Sequence, residues 1–170
     1  MSRLEETTSL FREAAEAYRA VSAQLRNHAE RLGELSVRLR QLAPAAVVTC
    51  ARGSSDHAAT FAKYLIETRL GVLTASAAPS VSSLYHARAN LRGTLLLAVS
   101  QSGASPDLLA AVANAKSAGA LIVALVNVES SPLARAADWA IPLCAGTERS
   151  IAATKSYIAS LAAIPRSRTS

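Results

Sequence analysis

Five short apolar runs constrain this chain more than any other feature. They are Ala46–Ala51 (AVVTCA), Val72–Ala75, Thr94–Val99 (TLLLAV), Leu121–Val126 (LIVALV) and Trp139–Leu143. None alternates polar with apolar residues, so each reads as a strand buried on both faces. Between them lie helical stretches over His57–Leu70, a short one around Val81–His86, then Asp107–Ala118, Pro132–Ala137 and Thr154–Ala163. Strand and helix in alternation imply right-handed crossovers and a parallel sheet with helices on both faces. In such a sheet a ligand sits at the carboxyl ends of the strands, where strand order reverses. Chemistry is therefore sought directly after Ala51, Val99, Val126 and Leu143.

Ahead of Pro44 the periodicity changes. Phe11, Ala14, Tyr18, Val21, Leu25, His28, Leu32, Leu35, Leu39 and Leu42 recur at three- and four-residue spacings on one stripe. That spacing predicts helix, with Gly33 as the break between two helices. The register also permits a coiled coil. Ala14 and His28 are weak seam residues and the run is short, so packing onto the domain or onto a partner subunit is expected instead. Seven Arg and six Glu alternate within residues 1–44 and form a near-neutral solvated face.

The 170 residues are 51% hydrophobic and 18% charged, which excludes disorder for most of the chain and gives room for one domain with an appendage. Net charge is +6, yet no run of five or more like charges occurs, and aromatic residues make up 4%. Neither an electrostatic DNA footprint nor a stacking platform for single strands is supported, so no nucleic-acid partner is expected. Cys50 and Cys144 lie far apart, outside any metal or CxxC spacing, and read as buried free thiols of a reducing compartment. Acidic residues stand near the start, where a signal peptide needs an apolar stretch, and no run is long enough to span a bilayer. The expectation is a soluble, cytoplasmic protein with no membrane partner.

Two loops carry the chemistry. After the first strand comes Arg52-Gly53-Ser54-Ser55-Asp56-His57; after the third comes Ser100-Gln101-Ser102-Gly103-Ala104-Ser105-Pro106-Asp107. In the second, Ser105 is placed to cap a helix, Pro106 suits its first position and Asp107 complements its dipole. A Ser/Gly-rich turn opening a helix offers backbone N–H groups and hydroxyls to a phosphate without a cation. Either loop alone is equally an ordinary capped turn; two of them on one sheet favour an anion site. GxGxxG, GxxxxGK and GxSxG are all absent, and no His/Cys/Asp cluster has metal spacing, so neither cofactor nor metal is expected.

The segments ARGSSDH, AVSQSGASPDLL, ALVNVESSPLARAAD and AGTERSIAATKSY, in this order, resemble the sugar isomerase (SIS) domain. More narrowly, they resemble the first SIS domain of the isomerase half of glucosamine-6-phosphate synthase and of its deaminase-like relatives. The resemblance covers about residues 45–163. It implies that Ser54 and Ser55 form a hydroxyl pair at the sugar, that Ser100, Gln101, Ser102 and Ser105 grip the phosphate, and that Ala152 and Ala153 line the stretch before Thr154-Lys155. Ser105 replaces the usual Thr and keeps the hydroxyl, whereas Ala153 stands where the synthase has Ser. That departure points towards a deaminase-like or separate phosphosugar subgroup. The resemblance also places the family's acid/base groups in a second SIS domain and tail, and its glutaminase in a preceding domain. On that comparison the chain reads as a fragment or frameshifted product of a longer protein.

Three groups are weak catalytic candidates. His57, at the start of a helix, either moves a proton or is held by hydrogen bonds there. Glu148 serves either as a base next to a carbonyl or as an orienting ligand for the turn before Thr154. Lys155 meets either the phosphate or a neighbouring carboxylate. The expected fold is a flavodoxin-like, three-layer α/β sandwich of about five parallel strands over residues 45–163, preceded by a helical arm (1–44) and followed by an irregular tail (164–170). The expected partner is a hexose or hexosamine 6-phosphate, in a homo-oligomer. Whether this chain is itself an enzyme stays open; a sugar-phosphate-sensing domain or an inactive product are the other readings.

Overall fold

A computed structural model of the protein describes residues 9–77, 90–149 and 153–164. Its centre is β3 (Thr94–Ser100), in which all seven residues are buried. On either side lie β1 (Ala46–Ala51) and β4 (Leu121–Val126), and at the edges β2 (Leu73–Ser76) and β5 (Trp139–Pro142). The order is β2-β1-β3-β4-β5 and every pairing is parallel. The helices are α1 (Ser9–Asn27), α2 (Ala29–Leu42), α3 (Ser54–Leu70), α4 (Pro106–Ser117), α5 (Pro132–Ala136) and α6 (Lys155–Ala163).

Alternation along the strands divides the core in two. Leu95, Leu97 and Val99 of β3 face Leu35 of α2, Ala58, Ala59 and Ala62 of α3, and Ala159 and Ala163 of α6. Leu96 and Ala98 face Leu108 and Val112 of α4 and Leu133 of α5. The result is the expected three-layer sandwich. The alanines of α3 are at most 1% exposed; their small side chains let that helix lie close to the sheet.

The spans of β1 and β4 match the sequence reading, because central strands are apolar on both faces. At the edge the reading shifts by one residue: β2 runs from Leu73 rather than Val72, and Leu73 is 71% exposed. An edge strand has only one neighbour, so its side chains lose one flank of burial. The helix expected around Val81–His86 lies outside the described residues.

The arm departs further from the reading. Its break falls at His28, not at Gly33, which sits inside α2 with open space where a side chain would go. His28 is 4% exposed and keeps the hydrogen bonding almost continuous, its N–H donating to the Gln24 carbonyl and its carbonyl accepting from Leu32 N–H. Because the two helices are phased independently, the single apolar stripe does not survive. In α2, Leu35 is buried with Leu32 and Leu39 packed beside it. In α1, Tyr18 and Leu25 are 64% and 62% exposed, while Glu13, Ala17, Ala20 and Gln24 face inward. The inward face of α1 is thus small and polar, and it holds by hydrogen bonds.

The strongest of these is Gln24. Its Nε2 donates to the Leu143 carbonyl at 2.8 Å and to the Ala159 carbonyl at 3.0 Å. Gln24→Ala removes both donors from a buried spot and is expected to lower unfolding free energy by about 2 kcal/mol. Urea denaturation checks this; a loss no larger than that of an exposed α1 change such as Arg12→Ala would show that the arm is held by other contacts.

Candidate functional site

Strand order reverses between β1 and β3: from β1 the chain moves outward to β2, then crosses back to β3 on the other flank. Cys50 pairs with Ala98 and Ala51 with Val99, so the two Ser/Gly loops leave the sheet side by side, one strand spacing (about 4.8 Å) apart. Arg52 Nη1 and Asp107 Oδ2, 3.1 Å apart, join the first loop to the start of α4. Both groups are largely exposed, so the pair contributes little stability. Its meaning is positional.

Within the second loop the serines divide the work. Ser100 is buried and its hydroxyl oxygen accepts from Gly103 N–H at 3.0 Å, which shapes the turn. Ser102 is exposed; its oxygen accepts from Ala104 N–H at 3.3 Å, leaving the O–H to donate outward. Gln101 and Ser105 are half-buried beside it. Ser105 is the N-cap of α4 in position, but its side chain makes no cap hydrogen bond. Ser54 and Ser55, half-buried, open α3 behind Gly53, likewise without a side-chain cap. Four polar side chains (Ser54, Ser55, Gln101, Ser105) therefore have no hydrogen-bond partner among the described residues. Together with two helix N-termini, they make a set of donors on adjacent loops suited to a compact anion.

The remaining candidates are placed as follows. Glu148 Oε1 accepts from Thr154 N–H at 2.7 Å and Ser156 N–H at 3.2 Å, and Oε2 accepts from the Ser156 hydroxyl. The carboxylate is the cap of α6, which is the orienting role. Lys155 is buried and its Nζ lies 3.1 Å from Glu16 Oε2 on α1; its charge is directed to the arm. His57 is exposed in the first turn of α3, at the loop end of the sheet. Ala153 is half-buried just before α6, and Ala152 lies outside the described residues.

Supporting residues escaped the sequence reading. Asn127, directly after β4, donates from Nδ2 to the Gly146 carbonyl at 2.7 Å and accepts at Oδ1 from Ala145 N–H at 2.8 Å. It ties the loop after β5 to the end of β4; its place beyond Val126 was the available signal. Glu13 Oε1 accepts from Arg149 N–H at 2.6 Å, so α1 braces the same loop. Nothing in the local sequence announces a contact across that distance.

The two cysteines take no part. Burial, with a smaller contribution from Asp56 and against Arg52, pushes the Cys50 thiol up to about 11. Cys144 is partly exposed, with Sγ 3.6 Å from His28 Nε2, and its thiol is also raised, by burial and then by Glu129. Among the described residues, no group of three His, Cys, Asp or Glu side chains is arranged to hold a metal ion, and no helix is long and apolar enough to cross a membrane.

Gly103 is the tightest point of the site. It has φ +63°, and an added Cβ would overlap the Ser131 side chain and approach Val126 Cγ2 to 2.8 Å. Ser131 cannot readily yield, since its hydroxyl oxygen caps α5 by accepting from Ala134 N–H. Gly103→Ala is expected to cost about 2–4 kcal/mol through backbone strain and overlap, read by chemical denaturation; a loss under about 0.5 kcal/mol would mean that the loop moves aside freely.

Comparison with known proteins agrees with this geometry. The SIS domain model matches residues 44–165. The glutamine–fructose-6-phosphate aminotransferase (isomerizing) of Symbiobacterium thermophilum is 38% identical over 135 residues, 78% of this chain and 21% of the aminotransferase. That of Thermotoga maritima is 39% identical over 120 residues. The chain spans about a fifth of the length of the curated relatives it matches. Among solved structures, a candidate phosphosugar isomerase from Silicibacter pomeroyi superposes with TM-score 0.86 at 45% identity, over 91% of this chain and 47% of that one. The NanR protein of Vibrio vulnificus, solved with ManNAc-6P, shares the fold at TM-score 0.70 and 19% identity, over 88% of this chain and 58% of that one. With paired Ser/Gly loops at the reversal of a five-stranded parallel sheet and a family model that covers most of its length, the chain belongs to the SIS domain family.

Proposed function

We propose that this chain binds a hexose or hexosamine 6-phosphate, and that the protein it serves interconverts aldose and ketose forms or deaminates glucosamine 6-phosphate. The observation that carries the reading is the set of unpartnered hydroxyls on two adjacent loops, each opening a helix. A phosphate needs several donors at once and gains from the positive end of a helix dipole. Ser102, Ser105 and Gln101 would hold the phosphate on the α4 side, with Ser54 and Ser55 meeting the sugar from the α3 side. The relatives named as aminotransferases and isomerases support the substrate class, as does the ManNAc-6P bound to NanR.

The chemical step asks for a base that moves a proton between two neighbouring sugar carbons. Glu148 is committed to capping α6 and Lys155 to Glu16. His57 is exposed beside Asp56 in the first turn of α3. Anchoring is thus the part of the reaction that these residues support best, and homo-oligomerisation through the exposed side of α1 accompanies it in this reading.

The test is calorimetry with glucosamine 6-phosphate. Hydrogen bonds to a charged group contribute about 1.5–3 kcal/mol, so Ser102→Ala is expected to weaken binding roughly 10-fold or more, while unphosphorylated glucosamine binds neither form. Equal affinity of Ser102→Ala and the parent would remove this loop from the site.

A further inference from the structure

On the α2/α3 side of the sheet lies an apolar groove of ≈ 310 Å³, within the range of small-ligand sites. Its floor is Leu95, Leu97, Val123 and Leu125, and α2, α3 and the end of α6 (Ala163, with Ile164 after it) form its walls. The floor runs from Leu95, near the amino end of β3, to Leu125, which pairs with Val99. Its mouth lies by the last turns of α2 and α3, next to Pro44, Leu70 and Val72, at the end of the sheet opposite the loops that follow β1 and β3.

Two features define the occupant. The lining is almost wholly aliphatic; the floor residues are at most 8% exposed while Leu70 at the mouth is 61% exposed, and apolar surface open to water is unfavourable. At its edge stand Arg40 from α2 and Arg69 from α3, both exposed and on opposite walls. Neither has an ion-pair or hydrogen-bond partner for its side chain among the described residues. A greasy slot with two unneutralised guanidinium groups at the mouth complements a molecule with an aliphatic tail and a single anionic head. We propose that this groove binds a medium-chain monocarboxylate, its tail over Leu95, Leu97, Val123 and Leu125 and its carboxylate between Arg40 and Arg69. A guanidinium fork matches a carboxylate geometrically. The site does not depend on the phosphosugar reading.

Decanoate and decanol, below their aggregation concentrations, are the probes, with methyl resonances of Leu97 and Val123 as the readout. One decanoate is expected per chain, shifting those methyls and binding about five-fold more tightly than decanol, the scale of two solvent-exposed ion pairs. Arg40→Gln combined with Arg69→Gln, both on exposed positions that leave the core intact, should bring decanoate down to the affinity of decanol. Ser102→Ala should leave decanoate binding unchanged, and the double Arg variant should leave glucosamine 6-phosphate binding unchanged. Three results would overturn the proposal: no saturable shift of these methyls, equal affinity for acid and alcohol in the parent, or a dimer whose groove is filled by the second copy and admits no decanoate.

Discussion

The parallel pairing of β1 with β3 is the constraint on which the site depends. These strands are separated by more than forty positions, yet their register puts Ala51 beside Val99. Two short polar loops, each unremarkable alone, become one surface because adjacent strands end at the same level. The hydrophobic burial of β3 on both faces fixes that level. A one-residue slip would carry Leu95, Leu97 and Val99 from one core to the other, so the register is held by both helical layers at once.

Around this junction buried and half-buried polar groups hold backbone in place. Ser100 shapes its own turn, Ser131 caps α5 against Gly103, Asn127 fastens the loop after β5, and Glu148 caps α6. Each satisfies N–H or C=O groups that helices and loops leave open at their ends. Among the described residues, the hydroxyls of Ser54, Ser55 and Ser105 and the Gln101 amide stand without partners at the loop end of the sheet, and away from it Gln24 Oε1 is a buried oxygen without one. Rigid support behind and free donors in front is the arrangement that preorganised recognition of an anion requires.

Much of this was legible in the residues. Non-alternating apolar runs gave the central strands, and loop chemistry at strand ends located the candidate site. What was hidden has a physical reason in each case. β2 is an edge strand, and Leu73 reads as core although it faces water. The arm misled because its most apolar stripe is not its buried one: α1 turns Glu13 and Gln24 inward, where they find partners a hundred or more residues away. Hydropathy registers transfer from water, not the presence of a distant carbonyl. Glu148 was open between base and cap for the same reason, since only the folded chain shows how many donors surround it.

The bonds of Gln24 bear on how the molecule assembles. They join positions separated by 119 and 135 residues, and Glu13 and Glu16 close loops as long, to Arg149 and Lys155. Closing such loops has an entropic cost that grows only slowly with their length, but it must be met before the contacts form. Helix α1 therefore has no place to dock until β5 and α6 exist. Its seating comes late in the folding of this domain, and the α1 face that carries Glu13 and Gln24 stays uncovered until β5 and α6 have formed. For α1, sequence order and order of docking run in opposite directions, and contacts this distant along the chain belong to the slower part of folding.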